Sequence, residues 1–327
     1  PVSAFPPVYY PCTGSSTNAP VPEGANARAF DKNRCTPGEI TEFNSVLYDQ
    51  EVFGFDWFRT GHSQSYGGEV SGGSESVTYF LSGEWDRDEG YVPNNWKESL
   101  SGRANFSYTP NEKVKLDFSM GGVRTSAESP SAQQPLPTAI VWACPAPGCE
   151  AGSGFPNAID GPYRGYIAYL PEIYEDEIEG YQDVDRLTFS VSGTHNPVEW
   201  LNQRLTLGGD FANIRNSELY KATGSLGSFV NWGRKWLVDL KSSYITVDYG
   251  ANASYNPLES VKLTTSAGVQ YYERREESNE SVGEFFPLEA LETVSSGSTR
   301  RGEEDFLENK TFGLFVQEQV SWNDRVF

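Results

Sequence analysis

Apolar and polar residues alternate one by one along much of this chain. Val77, Tyr79, Leu81 and Trp85 fall on one side of an extended segment, against Thr78, Ser82, Glu84 and Asp86. Val114, Leu116, Phe118 and Met120 oppose Lys113, Lys115, Asp117 and Ser119; Leu187, Phe189 and Val191 oppose Thr188, Ser190 and Ser192. The same period recurs through Ile245–Tyr255, Val261–Tyr271 and Phe312–Trp322. A strand turns successive side chains to opposite faces, so each segment has one greasy and one wet face. The alternation predicts strands at 63–71, 76–88, 98–108, 113–126, 184–196, 202–217, 243–256, 260–275, 309–322 and one starting near 325. Helical spacing is hard to find.

The connections alternate as well. Short turns recur as a weak repeat, Tyr108-Thr109-Pro110-Asn111-Glu112, His195-Asn196-Pro197-Val198-Glu199 and Tyr255-Asn256-Pro257-Leu258-Glu259. Proline fixes φ there and leaves no N–H unpaired. Between them, 127–183, 218–242 and 273–308 are long and rich in turn residues, and are expected to be loops. Two-faced strands with short turns at one end and long loops at the other describe an antiparallel transmembrane β-barrel of the outer-membrane kind. In hydrocarbon every backbone group must pair internally, so such a sheet has to close. Tyr108, Trp200, Tyr255 and Trp322 beside the short turns suit an interfacial girdle. A soluble β-sandwich or propeller would show the same alternation and is the competing architecture.

Composition agrees with the barrel. Only 37% of the 327 residues are hydrophobic, below the roughly 45–50% of soluble globular chains. A barrel needs only half of each strand to be apolar. The 19 Phe, 18 Tyr and 8 Trp are too many for a disordered acidic chain. A net charge of −20 argues against nucleic acid, which is bound through excess Lys and Arg. No run approaches the ~18 apolar residues of a membrane helix. The chain starts at Pro1 and stops at Phe327 just after a strand-like run; both ends look cut, and a fragment is expected.

Chemistry-bearing residues are sparse. Cys12 and Cys35, and Cys144 and Cys149, lie in turn-rich stretches; two local loop disulfides in an oxidising compartment are expected, with free thiols or pairing between the loops as alternatives. Residues 127–183 hold nine acids and one base, and 273–308 eleven acids and four bases. A solvated, self-repelling surface explains this better than a cation site, and the run Glu172, Glu175, Asp176, Glu177, Glu179 lacks EF-hand spacing. Tyr163, Tyr166, Tyr169 and Tyr174 are candidate ligand-facing rings, or simply pack their own loop. His62 and His195 are expected at opposite rims, too far apart to act together. No catalytic, metal or cofactor motif stands out, and no enzyme is expected. Glu84, Asp117, Arg204 and Asp210 are expected to line the lumen without forming a site.

Residues 56–61 read Asp56-Trp57-Phe58-Arg59-Thr60-Gly61; then come Gly72-Gly73-Ser74-Glu75-Ser76-Val77-Thr78-Tyr79-Phe80-Leu81-Ser82, Gly90 and Gly102-Arg103-Ala104-Asn105. This resembles the first barrel hairpins of the SusC/RagA-like TonB-linked outer-membrane receptors, and Gly313–Arg325 resembles their mid-barrel strand and turn. The likeness is strong over 51–128, moderate over 183–327 and faint elsewhere. Its residues Asp56, Trp57, Gly61, Gly72, Gly73, Tyr79, Ser82, Arg103 and Asn105 are structural. The resemblance implies a barrel of about 22 strands with a plugged lumen, of which about ten are here. It implies a Gram-negative outer-membrane location, lipid contact and uptake of a bulky nutrient such as a glycan or peptide, driven through TonB. It also implies a SusD-like surface lipoprotein as partner. The plug and its TonB-contacting box are missing from the chain. The expected organisation is an extracellular-loop-like segment over 1–62 with one Cys pair, then a partial barrel over 63–327. A passive porin or a non-transporting surface-binding barrel is the alternative.

Overall fold

The computed structural model describes residues 8–10, 41–43, 50–51, 54, 56, 58–129, 178–222 and 232–322. Two short strands, β1 (Val8–Tyr10) and β2 (Thr41–Phe43), pair with each other. The rest is one sheet of nine strands, each antiparallel to the next in chain order. They are β3 (His62–Gly73), β4 (Val77–Glu89), β5 (Trp96–Asn111), β6 (Val114–Glu128), β7 (Ile178–Val198), β8 (Leu201–Tyr220), β9 (Arg234–Leu258), β10 (Val261–Glu284) and β11 (Thr299–Trp322). Each matches a strand expected from the alternation; the tenth, near 325, lies outside the described residues. No described helix is long and apolar enough to cross a membrane, which says nothing of strands that do so.

The short turns share one construction. Glu112-Lys113, Glu199-Trp200 and Glu259-Ser260 each form a two-residue turn. Beside each turn the register slips, between Tyr108 and Asn111, between His195 and Val198, and opposite Val261 and Leu263. Pro110, Pro197 and Pro257 sit in these bulges, where a residue without an N–H costs the ladder nothing. The β3–β4 turn differs. At Gly73 a Cβ would come within 2.1 Å of the Val77 carbonyl, so only glycine fits.

The sheet has one layer and almost no core. Among described residues the buried hydrophobic ones are Ile178, Leu219, Tyr220, Val282 and Phe286, all at the long-loop end of the strands. Leu116 is 44% exposed, Leu314 71% and Val316 79%, so the alternating apolar face is bare. A soluble sandwich would bury that face against a second sheet, whereas here the described residues leave it exposed.

The strands also lean. By register, the β3–β4 turn ends level with Asp248 on β9, about ten residues above the β9–β10 turn and six strand spacings from it. At about 3.3 Å per residue and about 4.8 Å per strand, the lean is about 45–50°, close to the tilt of closed barrels. The sheet itself is not closed: β3 and β11 each have one unpaired edge.

One expectation needs correction. Residues 178–183, 218–220, 234–242, 273–284 and 299–308 are strand rather than loop. Much of the acidic charge therefore stands on an extended sheet wall.

Candidate functional site: two faces and an outer wall

Register sorts the side chains into rows. Tyr79, Phe106, Phe118, Val191, Leu207, Val247, Tyr271 and Phe312 form one continuous row across β4–β11. Neighbouring rows on the same face are apolar too, among them Leu81-Ala104-Met120-Phe189 and Leu205-Tyr249-Val269-Leu314. Within each strand the apolar stretch covers 77–85, 100–108, 114–122, 201–211, 245–255, 261–271 and 312–322 on β4, β5, β6, β8, β9, β10 and β11. These are about nine to eleven residues each, the length of a tilted strand crossing hydrocarbon. Tyr108, Tyr255 and Trp322 close the band at the short-turn end, all more than a third exposed, with Trp200 in a turn beside them. Glu318 is a charged exception on this face, four residues from that end of β11, and accepts a 2.5 Å hydrogen bond from Thr265.

The opposite face is polar and cross-linked at the same depth. Ser107 donates to Asp117 at 2.6 Å and Ser119 to Asn105 at 2.7 Å. Arg186 grips Asp210 with two hydrogen bonds, of 2.9 and 2.5 Å. Tyr244 and Arg274 both donate to Glu276, each at 2.7 Å. Glu84, Asp117, Arg204 and Asp210 all lie on this face, as a water-filled or plugged lumen requires. A hollow of about 440 Å³ lies mainly on it, lined by Thr78, Asn105, Ser107, Asp117 and Ser190 among others. A wider hollow of about 840 Å³ lies mainly on the apolar face, over Gly102 and Gly122.

Above the band the polarity of the two faces inverts. On the face that was apolar now stand Arg124, Asp185, Asn213, Lys241 and Glu277 in one row, and Asp183, Arg215, Asp239 and Asn279 in the row two residues further out. Arg124 pairs with Asp185 at 3.4 Å and Arg215 with Asp239 at 3.8 Å. On the lumen face Val184, Ile214 and Leu240 align, with Val238, Trp236 and Val282 beyond them. Such a switch marks where lipid gives way to water outside and a covered interior begins inside. Burial holds the Lys235 ammonium below its ordinary range, against the pull of Glu179 and Glu292. Burial, with Glu128 and Glu179 beside it, pushes the Tyr181 phenol up.

Of the expected site residues, Cys12, Cys35, Cys144, Cys149, Tyr163, Tyr166, Tyr169, Tyr174 and Trp57 lie outside the described residues. Asp56 is exposed. Gly61 would push a Cβ to 2.6 Å from the Glu89 carbonyl. Gly72 pairs with Tyr79, and Ser82 with Arg103 on the lumen face beside Asn105. His62 tops β3, 3.5 Å from Glu89, whereas His195 sits at the short-turn end of β7. Sequence reading missed the inner apolar wall at Trp232–Leu240. Its signal was present: β9 carries apolar residues at 236, 238 and 240, then switches phase to 245, 247 and 249.

No family model and no curated protein matches the chain. Solved structures do. The RagAB peptide importer in its open-open state aligns with a TM-score of 0.64 at 16% identity, over 81% of this chain and 30% of that one. In its closed-closed state the TM-score is 0.62, again at 16% identity, over 81% and 31%. The siderophore receptor PiuA from Acinetobacter baumannii aligns at 0.46 and 8% identity, over 79% and 38%. The chain thus spans about a third of the length of the solved structures it matches. The chain shares the fold of the matching part of the RagAB importer, as an all-β partial barrel.

Proposed function

We propose that this chain forms part of the wall of a nutrient-uptake receptor in a Gram-negative outer membrane, of the SusC/RagA-like, TonB-linked group. The observation that carries the reading is the lipid-width apolar band, which leans across eight strands and inverts above its outer edge. A strand pair cannot end raw in hydrocarbon. The nine strands run alternately, so β3 and β11 point the same way. Closing an antiparallel barrel therefore takes further strands, and the lumen of so large a barrel takes a plug. In this reading 63–327 is barrel, 1–62 is an extracellular segment with a Cys12–Cys35 pair, and Cys144–Cys149 ties an outer loop. The plug, bearing the contact to TonB, comes from another part of the receptor. The outer wall and loops, with Tyr163, Tyr166, Tyr169 and Tyr174, receive a bulky ligand such as a glycan or peptide. A SusD-like surface lipoprotein is the expected partner at the outer rim, and the function is transport rather than catalysis.

The test is made in the native cell. The receptor should fractionate with the outer membrane and need detergent for extraction. Deleting its gene should abolish growth on one class of bulky nutrient, and a protonophore should stop that uptake in wild type. Recovery in buffer without detergent overturns the reading. Uptake that survives collapse of the proton gradient replaces it with a passive pore.

A further inference from the structure

The apolar band has a trough. The hollow of about 840 Å³ on the apolar face is floored by Gly102 and Gly122. Leu81, Leu100 and Met120 wall it, and Leu187 closes it beyond Gly122. Register prolongs the floor into one row, Gly68-Gly83-Gly102-Gly122, across β3–β6, with Trp85 in the row above. The fold itself does not require glycine at these places. None of the four has a positive φ. A Cβ would meet nothing within 4 Å at Gly68, and nothing nearer than 3.8, 3.6 and 3.9 Å at Gly83, Gly102 and Gly122. Gly209 on the same face is the contrast, since the Phe189 ring lies 2.5 Å from where its Cβ would stand. Glycine weakens a strand, and inside one it often marks the close approach of something else. The trough also has a direction. Gly83 is six residues from Val77 at the start of β4, and Gly122 is eight from Val114 at the start of β6, so the floor climbs outward from β4 to β6. Its outer end meets Arg124, one pleat above Gly122, with a side chain 75% exposed.

We propose that this groove seats an acyl chain of lipid A, the acylated and phosphorylated disaccharide of the outer leaflet, with one of its phosphates on Arg124. The inference rests on the outer-membrane reading and adds a lipid partner to it. Position selects a lipid. The groove lies at the outer edge of a band that faces hydrocarbon, where acyl chains of the outer leaflet are the surrounding medium. Width excludes a helix. The two walls stand four residues apart along each strand, about 13 Å between backbones. Leu100 on one side and Met120 on the other narrow that space, and a helix with its side chains is about 10–12 Å across. Charge selects the phosphate. Asp185 comes nearest to Arg124 at Nε, 3.4 Å away, and the rest of the exposed guanidinium is open to an anion. A guanidinium can hold a phosphate through two parallel N–H bonds. The same ion pair offsets the Asp185 charge, which would otherwise repel it.

The test uses the full-length protein in a non-ionic detergent, followed by native mass spectrometry as lipid is added. The probes are lipid A, lipid A stripped of its phosphates, and phosphatidylglycerol. Lipid A should bind saturably and more tightly than the other two. Gly122→Leu puts a side chain on the floor, where a Cβ has room, and should abolish saturable binding of lipid A. Arg124→Gln should weaken lipid A about tenfold, the effect of one lost hydrogen bond to a charged group, and leave the dephosphorylated form unchanged. Lipid A binding as tight in both variants as in wild type overturns the site. Equal binding of phosphatidylglycerol overturns the choice of lipid. A Gly122→Leu protein that loses a dimer and keeps its lipid makes the groove a protein interface, and the proposal falls. Each of these results leaves the uptake reading standing, whereas absence of the protein from the outer membrane removes both.

Discussion

Phe118 and Ser190 are near neighbours on β6 and β7 that point opposite ways. Phe118 is midway along the apolar band; Ser190 faces the lumen. A charge on the lipid face at mid-depth costs about 2–4 kcal/mol, while a lumen position leaves it in water. Phe118→Lys should therefore lower the unfolding free energy from urea melts of the detergent- or lipid-folded protein by that amount, and Ser190→Lys should barely move it. Equal losses would mean that the two faces share one environment. Gly73 and Gly68 make a second contrast. A Cβ at Gly73 meets the Val77 carbonyl at 2.1 Å, whereas one at Gly68 meets nothing within 4 Å. Gly73→Ala should cost about 1–3 kcal/mol in the same assay, and Gly68→Ala close to nothing. Lys235 gives a pH signature. Burial lowers its folded value from 10.5, so between that lowered value and 10.5 the folded state binds fewer protons than the unfolded chain. Stability then rises with pH across this window. Lys235→Met should remove the rise and stabilise the protein at neutral pH. Tyr181, raised from 10.0, acts with the opposite sign above that value. The rise is therefore best followed by thermal melts below pH 10.

The strand halves inside lipid were legible because lipid demands an uninterrupted apolar alternation, as in Phe312-Leu314-Val316. The outer halves were not. Residues 273–284 read Glu-Arg-Arg-Glu-Glu-Ser-Asn-Glu-Ser-Val-Gly-Glu, and nothing in that composition asks for a strand. Their extended state comes from pairing: each residue is matched to β11 through Glu284–Thr299, with ion pairs such as Lys310–Glu273 at 3.7 Å and Arg275–Glu277 laid on top. Exposed pairs contribute little individually, so the backbone ladder does the holding. The Trp232–Trp236 cluster stayed hidden for a related reason. Its phase is opposite to that of the membrane stretch of the same strand, and a single period drawn along β9 blurs both. Hydrogen exchange on the folded protein separates strand from loop directly. Amides of 273–284 and 299–308 should exchange at least tenfold more slowly than those of 286–293. Exchange at the rate of that turn would return the segments to loops and remove the extended outer wall.

At the scale of the molecule the decisive quantity is the number and direction of strands. The nine alternating strands of the described residues leave β3 and β11 parallel, and their lengths differ, 12 residues against 24. Joining them would need a parallel ladder and would still leave half of β11 unmatched. Backbone groups left unpaired in hydrocarbon cost several kcal/mol each. Residues 1–327 alone, refolded into detergent, should therefore seek partners along the β11 edge, where Phe312, Leu314 and Val316 flank the open ladder. Light scattering coupled to size exclusion should find oligomers or aggregates whose size grows with protein concentration, and the full-length receptor under the same conditions should stay monodisperse. Adding the missing strands as a separate polypeptide should suppress the oligomers, since they compete for the same edge. A monodisperse, single-chain species from residues 1–327, conducting ions in planar bilayers, would mean that this length closes on itself. The protein would then be a small passive barrel, and neither plug nor TonB would have a place in its mechanism.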